Sequence, residues 1–184
     1  MELNSIVFVV FFAVTFSLYY IFQRKGTVQN MVLLAAGYFF YGYVNWRILP
    51  IIVLMTLFFY FTGIQIGKCN DDGNEKACSR WTVFTIVVGL LPLLYFKYFG
   101  FFVTSFADLL IAIGVNVDHP TLKIILPLGI SFYTFRLLSY AIEVNQEGME
   151  AEKNFLNFAT YVAFFPSLLA GPIDRPNVFI PQIK

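Results

Sequence analysis

A chain of 184 residues with a net charge of +1 is 59% hydrophobic, 20% aromatic and only 12% charged. Soluble domains carry about 25% charged residues, so half that fraction, with 23 Phe and 11 Tyr, excludes an ordinary soluble domain and points to one embedded in lipid. The near-neutral balance also provides no concentrated basic face, which excludes a nucleic-acid partner.

The first residues, Met1–Phe16, carry Glu2 but no Lys or Arg. A secretory signal needs a basic start and a small-residue cleavage site, so this apolar run is expected to remain as a span. A crossing helix needs roughly 20 apolar residues. Candidate runs fall at Ser5–Phe22, Val28–Val44, Ile48–Ile66, Trp81–Phe96, Ile124–Ile142 and Phe155–Ala170. The expected fold class is therefore all-α: a polytopic membrane helix bundle of about six spans, forming a single transmembrane domain over residues 1–184 without an internal repeat. Several runs are short, which implies tilt or partial insertion.

Gln23-Arg24-Lys25 and Asn45-Trp46-Arg47 punctuate the first three runs, and Gly67–Arg80 reads as a polar loop. Basic residues set orientation. With the N-terminus outside, the inner loops hold Arg24, Lys25, Lys68, Lys76, Arg80 and Lys153, against Arg47, Lys97 and Lys123 outside. Six against three favours that arrangement, in a multi-pass protein of the inner, cytoplasmic membrane. Phe99–Ile113 fits either an interfacial helix or a short span, with the interfacial helix preferred, and 114–120 then forms an outer polar loop.

Cys69 and Cys78 share the inner loop. A disulfide, a metal site and lipidation are all open to them, but two cysteines without a nearby His make a poor zinc site. A cytoplasmic loop favours reduced thiols, and no metal is expected. Gly63-Ile64-Gln65-Ile66-Gly67 is a GxxxG match that would permit close helix packing. His119, in the turn-like Val117–Pro120, is read as a surface residue. Glu143, Glu147, Glu150 and Glu152 with Lys153 read as an acidic, solvated loop. No GxGxxG, Walker, HExxH or paired catalytic carboxylate pattern occurs.

Two segments carry chemistry. In Leu126–Tyr140, Pro127 and Gly129 suggest a kink or helix start, and Arg136 lies within an apolar run. A charge there costs about 2.5–3.5 kcal/mol on insertion scales, so it must face a partner or a wet cavity. Tyr133 and Tyr140 lie one turn from Arg136 on either side, with Ser131, Thr134 and Ser139 on the same helix. Two readings stand: contact with an anionic or polar substrate in a tunnel, or an ion pair with Asp174 or another buried acid. In Phe164–Arg175, Gly171-Pro172 must break the helix, beside Asp174-Arg175, which would either bind substrate or close the loop as an ion pair. Irregular backbone at membrane depth requires surrounding protein or a water-filled cavity.

Tyr95-Phe96-Lys97-Tyr98, LPLGISFYTFRLLSYAIEV at Leu126–Val144 and NFLNFATYVAFFPSLLAGPIDRP at Asn154–Pro176, in this order, resemble the membrane-bound O-acyltransferase family. The chain is most similar to members of the alginate O-acetyltransferase type and more distantly to the D-alanyl transfer proteins of teichoic acid synthesis. Gly129–Phe135 and Ala170–Arg175 are the specific parts. The resemblance covers essentially the whole chain but only the N-terminal part of the family's usual length. It implies transfer of an acyl group, acetyl in the nearest type, from a cytoplasmic thioester donor (acetyl-CoA or a carrier-protein thioester) with no bound cofactor. The acceptor would be a hydroxyl on an exported polysaccharide or on an extracytoplasmic acyltransferase partner. It places the catalytic histidine beyond Ala170–Arg175. His119 does not match it, so no residue here is assigned as catalytic and the C-terminal half of the enzyme is an expected partner. Gly171, Pro172, Asp174 and Arg175 match the family motif. A tunnel-lining role for Arg136, Tyr133, Asp174 and Arg175 is inferred from burial cost alone. The alternatives are a non-enzymatic polytopic protein, such as a small transporter or assembly partner, and an inert truncated product. Against a transporter, only one clear helix break is found where paired breaks are expected.

Overall fold

The computed structural model describes residues 5–47, 49–113, 127, 129–170 and 174–184, with backbone only at 168–170. His119, Lys123, the 114–120 loop and the Gly171-Pro172 break lie outside the described residues. The described residues are helical, without strands. The helices are α1 (Ile6–Ile21), α2 (Gly26–Asn45), α3 (Leu49–Asp71), α4 (Glu75–Leu93), α5 (Phe99–Ala112), α6 (Ile130–Asn145), α7 (Phe155–Ala163), α8 (Phe165–Ala170) and α9 (Pro176–Gln182).

Helix starts follow the side chains that can serve the free N–H groups of a first turn. Ser5 Oγ accepts from Phe8 N at 3.2 Å, Asn74 Oδ1 from Ala77 N at 3.2 Å, and Asn154 Oδ1 from Leu156 N at 2.9 Å. Gly129, in the left-handed region at φ 69°, precedes α6 and bears out the expected helix start. Buried threonines satisfy their hydroxyls inside their own helices: Thr56 donates to Ile52 O at 2.7 Å, Thr85 to Trp81 O at 2.7 Å and Thr160 to Leu156 O at 2.8 Å.

Three expected boundaries are corrected. The polar loop Gly67–Arg80 is almost entirely helical, since α3 continues to Asp71 and α4 starts at Glu75. Gly73, at φ 66°, and the Asn74 cap turn the chain in three residues. Phe99–Ile113 is not a separate interfacial helix. α4 runs through Pro92 and a π-helical turn, Leu94–Tyr98, into α5, so that Glu75–Ala112 is one 38-residue helix. At 1.5 Å per residue it is about 57 Å long, well beyond a hydrocarbon core of about 30 Å. The run Phe155–Ala170 is two short helices broken at Phe164, whose backbone is extended.

Two helical stretches, Leu49–Asp71 and Glu75–Ala112, are long and apolar enough to cross a membrane, and Ile6–Ile21 is a shorter apolar helix. The core lies where α3, α4 and α6 pack together and α7 packs on α2. Small residues permit these approaches. A Cβ on Gly63 would lie 2.6 Å from the Tyr140 ring and one on Gly67 2.8 Å from Ala151 Cβ, which bears out the GxxxG reading. The closest approach was not signalled by any motif: a Cβ on Gly37 would lie 2.0 Å from the Ala163 carbonyl oxygen.

The end of the chain returns to the end of the bundle from which α7 starts. Asn30 Nδ2, near the start of α2, donates to Asn157 Oδ1 at 2.9 Å and to the Ile183 carbonyl at 2.7 Å. Lys184 Nζ lies 2.9 Å from Glu152 Oε2. Glu152, expected in a solvated acidic loop, is instead buried. Its backbone N–H donates to Tyr140 Oη at 2.9 Å and its Oε1 accepts from Asn154 N at 2.9 Å. The α3–α4 turn lies at this same end, where Asn70 Nδ2 donates to the Val144 carbonyl at 2.6 Å. The loops assigned to one side from their basic residues thus share one end of the molecule.

Candidate functional site

Arg136 of α6 packs against α7, α8 and the start of α9, three short helices that form a hairpin. Arg136 is 4% exposed. Nη1 donates to the Tyr161 carbonyl at 2.8 Å, and Nη2 donates to Ser167 Oγ and is paired with Asp174 Oδ2. The plane also lies over two rings, with Cζ 4.9 Å from the Tyr161 centroid and 5.7 Å from that of Phe179. The Tyr161 hydroxyl closes the ring of contacts, donating towards the Arg136 carbonyl at 3.3 Å and the Asp174 carbonyl at 3.4 Å.

This geometry explains how a charge is held among apolar helices. A buried cation must be paired and its donors satisfied, and a guanidinium can do both because its donors fan out in a plane while its faces stack on aromatic rings. Asp174 retains 29% side-chain exposure, so the pair is enclosed on the arginine side and open on the acid side.

Of the four residues expected to form a site, the structure brings Arg136 and Asp174 into contact. Tyr133 is fully buried on the same helix, edge-on to Tyr41 with centroids 6.2 Å apart, facing α2 rather than the clamp. Arg175 is exposed at the start of α9. The Asp174-Arg175 pair is therefore not a loop-closing ion pair; the acid turns inward to α6. Ser167, Tyr161 and Phe179 complete the clamp and were not anticipated. Tyr161 and Ser167 lie within Asn154–Pro176, the segment that carries the family resemblance, and that was their one available signal. Phe179 had none.

Cys69 and Cys78 are free thiols that line one small pocket of about 280 Å³ beside the α3–α4 turn. Cys78 Sγ donates to Asn70 Oδ1 at 2.9 Å. Among the described residues no group of three His, Cys, Asp or Glu side chains is placed to hold a metal ion.

Fold and site together define a bundle of apolar helices organised round one buried arginine. The proteins it is similar to are specific. The chain is 38% identical to the probable alginate O-acetylase AlgI of Pseudomonas aeruginosa, over all of this chain and 35% of that protein. It is 27% identical to the peptidoglycan O-acetyltransferase of Helicobacter pylori, over 95% of this chain and 37% of that protein. It is 29% identical to the teichoic acid D-alanyltransferase of Lacticaseibacillus rhamnosus, over 64% of this chain and 31% of that protein. No family model matches the chain, and no solved structure matches it. The chain is a homologue, over its whole length, of the alginate O-acetylases, and the resemblance to membrane-bound O-acyltransferases is borne out. It spans about a third of the length of these relatives.

Proposed function

We propose that this chain forms part of a multi-pass acyltransferase of the inner membrane that O-acylates an exported polysaccharide. The observation that carries this reading is the 38% identity to an alginate O-acetylase across the entire chain. The transferred group is acetyl, delivered as a thioester by acetyl-CoA or an acyl carrier protein on the cytoplasmic side. The acceptor is a hydroxyl of the polymer or of an extracytoplasmic acyltransferase partner. In the reaction a base takes the acceptor proton, the hydroxyl oxygen bonds to the acyl carbon, the carbon–sulfur bond breaks, and the leaving thiolate takes up a proton. The family resemblance assigns the base to a histidine beyond the segment present here, and no residue of this chain takes that role.

What this chain supplies is a wall. Arg136 lies about 9 Å from the start of α6 and about 14 Å from its end, and it fastens Tyr161, Ser167 and Asp174 at that depth. The hairpin α7–α8–α9 is then a re-entrant element, entering and leaving on the cytoplasmic side, and non-helical backbone there is supported by protein. In this reading Arg136 and Asp174 line the substrate tunnel from that side, Tyr133 supports it from behind, and Arg175 stands at its rim. The six-span count reduces to five crossings plus this hairpin, with the N-terminus outside.

The test replaces the matching segment of the Pseudomonas aeruginosa alginate O-acetylase with this chain and measures acetyl transfer to alginate in cells lacking the native protein. The expected outcome is O-acetylated alginate from the chimera and none from this chain expressed alone. A chimera that reaches the membrane in normal amount but transfers no acetyl group would overturn the proposal.

A further inference from the structure

A well-formed cavity lies away from the arginine clamp. It is a cleft of about 600 Å³ at the end of the bundle where α3, α6 and the α6–α7 loop meet. Its floor is apolar, with Ile64 and Val144. Its rim carries Lys68, Asp71, Glu147, Glu150 and Lys153. None of these five side chains forms an ion pair among the described residues. Opposite charges thus surround one cleft without neutralising one another, and the volume falls within the roughly 300–1,000 Å³ of small-molecule sites.

Glu147 adds a second observation. It sits in the left-handed region at φ 57°, just past the end of α6, where Gly148 N donates to the Glu143 carbonyl at 2.9 Å. Glycine or asparagine is the usual residue at such a helix end, because a β-carbon is disfavoured there. A glutamate is tolerated there at a backbone cost, and this one lines both the cleft and the smaller pocket of Cys69 and Cys78.

On these grounds we infer that the cleft binds the headgroup of a zwitterionic, amine-bearing phospholipid, phosphatidylethanolamine. The inference rests on the membrane setting proposed above but concerns a different site. Lys68 and Lys153 take the phosphodiester, each as a point cation. Glu147, with Asp71 and Glu150, takes the ammonium, which offers three N–H donors to carboxylates. The apolar floor receives the glycerol end of the acyl chains. Position agrees with this: along α3 the sequence changes from the apolar Ile64 to Lys68 and Asp71 at the cleft, which is where a helix leaves hydrocarbon for the headgroup layer. Two cations against three acids also disfavour a multiply anionic ligand, so the nucleotide end of an acyl-CoA does not suit the cleft.

The experiment reconstitutes the chain in nanodiscs containing equal parts of phosphatidylethanolamine, phosphatidylcholine and phosphatidylglycerol, and measures the lipid retained after detergent extraction by native mass spectrometry. Phosphatidylethanolamine is expected to be retained at least roughly tenfold over phosphatidylcholine, whose quaternary amine donates no hydrogen bond. Lys68→Gln and Lys153→Gln should each lower that retention. Glu147→Gly should lower retention while raising the melting temperature in discs without phosphatidylethanolamine, because it relieves the backbone. Equal retention of the two zwitterionic lipids, preference for phosphatidylglycerol, or undiminished retention by Glu147→Gly would overturn the inference. Stabilisation by free phosphoethanolamine equal to that by the lipid would overturn the lipid assignment. No acyl transfer is read, so failure here leaves the acyltransferase proposal standing.

Discussion

Two regions of this chain are both rich in apolar residues and have opposite fates. In the stretch from α4 into α5, Leu94, Tyr95, Phe101, Phe102, Phe106 and Leu109 are all exposed, and α5 has no substantial packing partner among the described residues beyond the turn that leads into it. Around α6 and α7, Tyr133, Leu137, Tyr140, Phe158 and Tyr161 are fully buried, and so are the polar Thr134 and Thr160. Hydrophobicity therefore does not distinguish inside from outside here. In lipid there is no solvent penalty for an exposed Phe, and helices associate through close packing of small residues and shared polar contacts. Gly37, Gly63, Asn30 and Arg136 mark core positions that hydrophobicity alone does not.

The contrast can be tested by substitution in each region. The largest effect is expected at Arg136→Leu, which strands Asp174 and frees Ser167 and the Tyr161 carbonyl. Removing one partner of a buried pair costs about 3–5 kcal/mol, read as a fall in thermal unfolding midpoint in detergent. The double variant Arg136→Leu/Asp174→Leu should recover part of it, and no recovery would show that the stacking on Tyr161 and Phe179 matters more than the charge pair. Next is Gly37→Ala. Its methyl group meets backbone at 2.0 Å, not a movable side chain, so α2 and α7 must separate, at about 3 kcal/mol. The matched control is Gly100→Ala in α5, where a Cβ meets nothing within 4 Å; greater helix propensity should leave stability unchanged or raised by about 1 kcal/mol. If both glycines respond alike, the distinction between core and arm is wrong.

Smaller again is Asn30→Leu, which removes donors from Asn157 and the Ile183 carbonyl at the cost of about 1–3 kcal/mol. Its signature is early cleavage of the C-terminal residues in limited proteolysis, before the bundle unfolds. The smallest effect is expected for Phe102→Ala and Phe106→Ala, each within about 0.5 kcal/mol in the same melting assay. A loss of 2 kcal/mol at either position would mean that α5 is packed, contrary to its exposure.

What was legible in the sequence follows the same division. Apolar runs located α1, α2 and α3 to within a few residues at most boundaries, because Arg24, Lys25 and Arg47 punctuate them. Arg136 and Asp174 could be paired because a charge in an apolar run has few possible partners. The continuity of α4 with α5 was hidden by Pro92 and Lys97, which resemble a terminus but here accompany a π-helical turn. The extent of α3 was hidden by Lys68, Asn70 and Asp71, polar residues that end an apolar run without ending a helix. Glu152 looked solvated because its neighbours are; its burial depends on Lys184 and Tyr140, both distant in sequence. The hairpin was least legible, since the run that encodes it has the length of a span, and the signal of its break is a single residue in an otherwise apolar run, Pro166 in the first turn of α8.

That hairpin has a consequence for how the protein is made. α7 has nine residues and α9 seven, each too short to leave the translocon sideways as a crossing helix, for which roughly 20 apolar residues are needed. In the topology proposed above, the hairpin would then dock from the cytoplasmic side against α2 and α6, where Arg136 receives Asp174. Biogenesis of this segment would then be a docking event and not a membrane integration event.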